Sequence, residues 1–453
     1  MNYTESLSYL DSLNVFGVRL GLVRIKRLLE LLGNPQDSYR TIHVTGTNGK
    51  GSVSAMLACV LSQSSIRTGL YISPHLVSYT ERMQIDGQPI SEADFAECLT
   101  VVRSYIEQMM AEGEECPTQF EALTAAAFYY FAKKNVEYAV IEVGLGGLLD
   151  STNVITPEVS IITNVTLEHA KLCGGTLEGV AHHKAGIIKE GVPVVTAAKG
   201  MTLDIIRKAA ADHNADIFVE GEDFCVEGGD ISPRGQNFFF SSTLVGVSHV
   251  PYELHLLGAH QVENAGLAIM AAYLLHNVDG RIHEAPLHEA LRLVEWPGRF
   301  EVLEVPAVGA AEDQIVVVDG AHNPAGMKTL RRGLDDYFPE APRVLLLGIL
   351  HDKAVDEMLK ILVRPDDIIV VTPPQSDRAE TLSVLAAKAQ AYAGHVESCA
   401  DNGAALDRSL VLAGGERLLV AAGSLYLIGG LRQRLLGKAG KGKEAARHGK
   451  TTA

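Results

Sequence analysis

The chain has 453 residues, 47% of them hydrophobic and 21% charged, and a formal net charge of −16. A chain longer than the roughly 250–300 residues at which one core stops growing is expected to hold two or more domains. The acidic balance argues against DNA or RNA as the main partner, since phosphate backbones need basic footprints, but it leaves room for a nucleotide in a local cationic pocket.

Leu22–Leu32 has apolar residues at helical spacing and stops at Gly33-Asn34-Pro35, which predicts an amphipathic helix. Thr41–Thr45 reads as a short strand, a glycine-containing turn follows, and Val53–Leu61 reads as helix. A strand over Thr68–Ile72 leads into Ser73-Pro74-His75. Helices are expected over Ser91–Met110 and Phe120–Lys133, and buried strands over Tyr138–Val143, Val159–Thr163 and Val192–Thr196. Strands alternating with helices imply βαβ units and a mostly parallel sheet. Between Asp216 and Leu257 short runs such as Asn237–Phe240 and Tyr252–Leu256 sit among Gly and Ser, which predicts an antiparallel patch. Gln261–Leu275 and Leu287–Val294 read as helices.

Trp296-Pro297-Gly298 is a natural hinge, after which strand candidates resume at Ile315–Val318, Arg343–Leu347, Asp367–Thr372 and Arg417–Ala421. The expected fold is α/β, with one domain over 1–298 and a second over 299–437. Residues 438–453, rich in Gly, Ala and Lys, read as a disordered tail. The six cysteines form no CxxC pair, so a reduced cytoplasmic protein is expected. Met1–Leu10 carries no basic run leading to an apolar segment, and no uninterrupted apolar stretch reaches ~18 residues; neither a signal peptide nor a membrane span is expected.

His43–Ser52 reads HVTGTNGKGS. A strand enters a glycine turn and a helix leaves it, the arrangement that aims backbone N–H groups and a helix N-terminus at phosphate oxygens. Lys50 would supply a positive charge for the β- and γ-phosphates, and Ser52 is placed to reach Mg2+. The spacing departs from the general phosphate-loop pattern, because Gly51 separates Lys50 from Ser52. Glu142 ends a predicted buried strand, while Ser73 and His169 follow two others. Ligands of open α/β sheets gather at the carboxyl ends of strands, and these three side chains would suit Mg2+ bridging ATP phosphates.

Eight motifs occur in order: HVTGTNGKGS; SPHL at Ser73–Leu76 with YTER at Tyr79–Arg82; EVGLGG at Glu142–Gly147 followed by LDSTN; KAGIIK at Lys184–Lys189; HQVENA at His260–Ala265; WPGRFE at Trp296–Glu301; DGAHNP at Asp319–Pro324; and GSLYL at Gly423–Leu427. Together they resemble the folylpolyglutamate synthase/dihydrofolate synthase family of the Mur ligase superfamily. The resemblance implies an N-terminal P-loop-type ATPase domain and a C-terminal Rossmann-like domain. It implies that Thr47, Asn48, Gly49, Lys50, Gly51 and Ser52 hold the ATP phosphates, with Asn264, Arg299, Asp319 and His322 around the nucleotide or the incoming glutamate. Ser52, Ser73, Glu142, His169 and Lys184 would hold Mg2+, Lys184 as a carbamate. Lys50, Glu142, His169 and Lys184 form the implied catalytic set.

Pteroate contacts map to Arg19, to Thr118, Phe120 and Glu121, and to Leu149, Asp150 and Ser151. Arg19, Gln119, Leu148, Glu168 and His183 depart from common family residues, the first three on the pteroate side. The implied reaction is ATP-dependent amide formation between L-glutamate and a folate or dihydropteroate through an acyl phosphate, in a monomer, with a monovalent cation as a possible further requirement. A Mur-type ligase of a cell-wall precursor and a non-catalytic nucleotide-binding regulator are the alternatives.

Overall fold

The computed structural model describes residues 1–167, 172–307, 313–376 and 378–449. The chain forms two compact units. The first comprises residues 1–230, 237–255 and 260–294; the second comprises 231–236, 256–259 and 295–453.

The first unit is built on β1 (Arg40–Thr45), β2 (Thr68–Tyr71), β3 (Met83–Ile85), β4 (Gln88–Pro89), β5 (Tyr138–Glu142), β6 (Val159–Ile162), β7 (Val194–Thr196) and β8 (Ile217–Val219), in the spatial order β4-β3-β2-β5-β1-β6-β7-β8. The β2-to-β8 portion is parallel, and β3 and β4 add an antiparallel edge. Every residue of β5 and β6 is buried, as continuous apolar runs require in a sheet covered on both faces. Its helices are α1 (Tyr3–Leu13), α2 (Val23–Leu31), α3 (Lys50–Gln63), α4 (Glu92–Ala111), α5 (Gln119–Lys133), α6 (Leu177–Ala185), α7 (Met201–Asp212), α8 (Ala259–His276) and α9 (Glu284–Leu293), with Ala259 counted in the second unit. On α5, Ala125, Ala126 and Ala127 are all fully buried, so small side chains let this helix lie close to its neighbours.

A separate three-stranded sheet, β9 (Cys225–Ser232), β10 (Gly235–Ser242) and β11 (Val247–Leu254), lies in the region expected to hold an antiparallel patch. Only two residues join β9 to β10, a hairpin connection. The second unit carries β12 (Glu301–Pro306), β13 (Asp313–Val318), β14 (Arg343–Leu347), β15 (Ile368–Val371), β16 (His395–Ser398) and β17 (Leu418–Ala422), ordered β12-β13-β17-β14-β15-β16. Only β12 runs antiparallel to its neighbour. Its helices are α10 (Pro324–Tyr337), α11 (Val355–Leu362), α12 (Leu382–Ala389), α13 (Asn402–Ala413) and α14 (Leu425–Gly449). The expected tail differs from what is seen: α14 continues through it to Gly449. Alanines and charged residues favour helix there more than glycines oppose it. No helix among the described residues is long and apolar enough to cross a membrane.

One ion pair is buried inside the second unit. Arg343 and Asp367 are each 1% exposed, with Nε–Oδ1 at 2.9 Å and Nη2–Oδ2 at 2.6 Å, and the Arg364 N–H donates to the same carboxylate at 2.7 Å. Removing one partner strands a charge in the core. Asp367→Ala is expected to cost about 3–5 kcal/mol, measurable as a lower urea midpoint for the unfolding of this unit.

Candidate active site

β1 delivers the chain into the glycine turn at residues 46–49. Gly46 has φ 152°, and a Cβ there would lie 1.7 Å from Thr163 Oγ1; Gly49 has φ 86°, and its Cβ would lie 2.3 Å from Asn264 Oδ1. Only glycine supports both the backbone angles and these approaches. Gly49 caps α3 without any side-chain bond to the helix N-terminus, so the first-turn N–H groups are left for an anion. Lys50 arches back over the turn, its Nζ donating to Gly46 O at 3.0 Å and Thr47 O at 3.2 Å. Ser52 is buried in the first turn of α3.

The turn is clamped by the segment after β6. Asn164 accepts the Asn48 N–H on Oδ1 at 3.0 Å and donates from Nδ2 to Asn48 O at 3.2 Å, while the Thr163 hydroxyl donates to Asn48 O at 2.6 Å. The Thr47 hydroxyl accepts the Thr166 N–H at 2.9 Å and donates to Thr166 O at 3.2 Å. Thr47 therefore spends its side chain on shaping the loop. Thr163, Asn164 and Thr166 belong to none of the eight sequence motifs. Their only signal is a polar Thr-Asn-Val-Thr run directly after an apolar strand, beside the glycine turn in the sheet order.

Glu142, the last residue of β5, is 4% exposed, and its Oε2 accepts the Ser73 N–H at 3.1 Å. The fold thus brings two of the expected metal-binding residues together. Lys184 is buried in the last turn of α6. That turn packs on the EVGLGG loop: the Leu148 N–H donates to His183 O at 2.7 Å, and a Cβ on Gly147 would come within 2.5 Å of the same oxygen. The Thr45 hydroxyl ties this loop to β1 by donating to Gly146 O at 2.7 Å. His169 lies outside the described residues. Among those described, no three His, Cys, Asp or Glu side chains form a metal-holding group. The expected set is Ser52, Ser73, Glu142, His169 and Lys184; its Glu142 carboxylate and serine hydroxyls are oxygen donors of the kind Mg2+ takes.

The expected pteroate segments also converge. Thr118 caps α5 in a capping box with Glu121, whose Oε2 takes the Thr118 N–H at 2.7 Å, the Thr118 hydroxyl at 2.9 Å and Arg24 Nε at 3.1 Å. Arg24 reaches on to Arg19 O at 2.9 Å, holding the 17–22 loop against α5. Sequence reasoning missed Arg24, which reads as one more cation on an amphipathic helix. The Gly21 N–H donates to Leu149 O at 3.2 Å, joining that loop to the LDSTN turn. The Phe120 ring lies 2.4 Å from where a Gly144 Cβ would stand. Asp150 is buried, its Oδ2 accepting the Leu145 N–H at 2.8 Å and its Oδ1 the Thr152 N–H at 3.0 Å. Burial raises this carboxyl's pKa, and the N–H bonds oppose the shift. Leu148 and Leu149 are exposed beside it. Gln119 donates to the Tyr79 hydroxyl at 3.1 Å.

In the second unit, Asp319 follows β13 and is half-buried; desolvation raises its pKa, with Arg299 opposing. Its oxygens accept the Phe300 N–H and the Ala321 N–H, both at 2.7 Å, so it pins the WPGRF turn to the DGAHN turn. A Cβ on Gly320 would lie 2.3 Å from Arg299 Nη1. His322 Nδ1 donates to Gly320 O at 2.8 Å, and Asn323 caps α10. Arg299, Asp319 and His322 therefore share one end of this sheet.

Comparison with known proteins places these two architectures. Residues 44–272 match the Mur ligase middle domain, and residues 298–425 match the Mur ligase glutamate ligase domain. The fold is that of a Mur-type ligase. The chain is 35% identical over 447 residues to the folylpolyglutamate synthase of Lacticaseibacillus casei, covering 96% of this chain and 99% of that one. It is 35% identical over 364 residues to the dihydrofolate synthase/folylpolyglutamate synthase of Bacillus subtilis, covering 80% and 82%. The folylpolyglutamate synthase of Mycobacterium tuberculosis, solved with ADP and AMPPCP, superposes with a TM-score of 0.82 at 30% identity, covering 96% of this chain and 99% of that one. The chain belongs to the folylpolyglutamate synthase/dihydrofolate synthase family and is an acid–amino-acid ligase that adds glutamate.

Gly49→Ala would force a methyl into Asn264 at an unfavourable φ. It is expected to weaken binding of the ATP analogue AMPPCP by at least about tenfold, an effect of ~1.4 kcal/mol or more, as read by calorimetric titration, with the overall fold retained by circular dichroism.

Proposed function

We propose that this chain uses ATP and Mg2+ to join L-glutamate to the terminal carboxylate of a folate, to the carboxylate of dihydropteroate, or to both. The observation that carries the reading is the glycine turn on β1, beside the strand whose buried Glu142 meets the Ser73 N–H, within a chain of this family. Carboxylate and amine do not form an amide in water without activation. The substrate carboxylate attacks the γ-phosphorus of ATP, the bond to the β-phosphate oxygen breaks, and ADP leaves. The glutamate amine then attacks the acyl carbon, loses a proton, and expels inorganic phosphate.

Phosphoryl transfer of this kind is governed by positioning and charge neutralisation. The α3 N-terminus and Lys50 would hold phosphate oxygens and neutralise the charge of the transferred group; Arg299, in the second unit, is a further cation that the family resemblance assigns to the nucleotide. Mg2+, when bound, would neutralise β- and γ-phosphate charge. Ser52, Ser73 and Glu142 would hold it, joined in this proposal by His169 and by Lys184 as a carbamate. Arg24, Glu121 and Thr118 shape the wall on which the pteroate end rests. Asp319 and His322 order the turn that would receive nucleotide or glutamate. A cytoplasmic monomer is part of the same proposal, supported by six unpaired cysteines and a strongly acidic composition.

The deciding assay measures ADP release with dihydropteroate and with tetrahydrofolate side by side, each with and without glutamate. Turnover that requires glutamate and either acceptor supports the reading; ADP release indifferent to both acceptors overturns it. Lys50→Ala is expected to leave the fold intact and lower kcat by about 10²–10³-fold, and near-parental turnover would remove Lys50 from the mechanism. Glu142→Gln is expected to shift the Mg2+ titration of activity to higher concentration; an unchanged titration would refute the metal role of Glu142.

A further inference from the structure

His43 has no part in the chemistry above, yet it occupies a costly position. It lies in β1 between Ile42 and Val44, fully buried, where an aliphatic residue would need no partner. Its Nε2 lies 2.9 Å from Thr152 Oγ1, and that hydroxyl donates to Asp150 Oδ1 at 2.6 Å. A hydroxyl has one proton. With that proton spent on Asp150, the imidazole must be the donor to Thr152, which sets its tautomer as Nε2–H. Nδ1 is then a bare acceptor, and it is buried without a hydrogen-bond partner. Burial, with the nearby Lys189 cation, holds the ring neutral, its pKa lowered to about 3.

The chain of bonds ends on a junction. Asp150 orients the glycine loop through Leu145 N–H. Asn153, three residues on, donates from Nδ2 to Leu148 O at 3.0 Å and to Gly186 O at 2.9 Å. A group that fixes the Asp150 carboxylate therefore fixes the tie between Leu145 and Thr152 across this turn, to which Asn153 adds its own bonds.

We propose that His43 and Thr152 form a buried positioning relay that orients Asp150, and with it the turn that receives the pteroate end of the substrate. This rests on the functional reading above only in naming the substrate. Neither residue touches ligand; both act through Asp150.

Thr152→Val removes the hydroxyl at constant shape, and Thr152→Ser restores it. In the full-length enzyme, Thr152→Val is expected to raise KM for the pteroate or folate acceptor about tenfold. KM for ATP, and kcat at saturating acceptor, are expected to stay within about twofold, with Thr152→Ser returning near the parent. A general loss of stability would not divide the two substrates in this way. An acceptor KM within about twofold of the parent, or an equal rise in both KM values, overturns the relay. Nitrogen-15 spectra of histidine-labelled protein, with His43 assigned by difference from His43→Gln, supply a second test that needs neither turnover nor the Thr152→Val fold. The parent is expected to show His43 neutral with its proton on Nε2 at pH 7, and a proton on Nδ1 overturns the proposal. If the parent shows no acceptor-dependent turnover, the substrate reading fails while the tautomer still judges the relay.

Discussion

The parallel register of β5, β1 and β6 is the constraint on which the site depends. Val44 pairs with Glu142 on one side, and Thr45 pairs with Ile162 on the other. Three strands therefore end level with one another, one giving the phosphate turn, one the carboxylate and one the Thr163–Asn164 clamp. Nothing in the loops sets that alignment. It comes from the ladder hydrogen bonds of three adjacent, largely buried strands, and a slip of one residue would send every side chain to the opposite face. The functional groups sit in loops whose starting points the sheet has already matched to within a residue.

Two kinds of carboxylate result. Asp150 and Asp319 have both oxygens engaged by backbone N–H groups of adjoining turns. Each acts as a brace between loops, and burial pushing its pKa upward is met by those donors. Glu142 differs in position, since it terminates a strand and shares Oε2 with the N–H of the SPHL segment.

Much of this architecture is legible in the amino-acid sequence. Buried strands such as Tyr138–Glu142 and helices such as Glu92–Ala111 are marked by long apolar runs or strong periodicity, and their observed bounds differ from the expected ones by only a residue or two. The β3–β4 edge and β16 escape because short, partly exposed strands carry little alternation. The α14 extension escapes because glycine-rich composition hides a continuous helical path. In the site, Glu142 and Ser73 meet as their motifs suggest, and Gly46 and Gly49 shape the turn. The backbone atoms that such side chains meet are a different matter. Arg24 bridging Arg19 to Glu121, and Asn164 mirroring the peptide of Asn48, are long-range partnerships with no local signature.

The crowding around the glycines has a further consequence for how this enzyme can diversify. Gly46, Gly49, Gly144 and Gly147 each abut another atom so closely that no side chain fits, which freezes these turns against drift. Arg19, Leu148 and Leu149 are exposed, and in the proposed function they would border the acceptor. On that proposal, replacing them would alter what the wall offers a passing acceptor while leaving the glycine-tight turns unmoved, so new acceptor preferences could arise in this scaffold without rebuilding those turns.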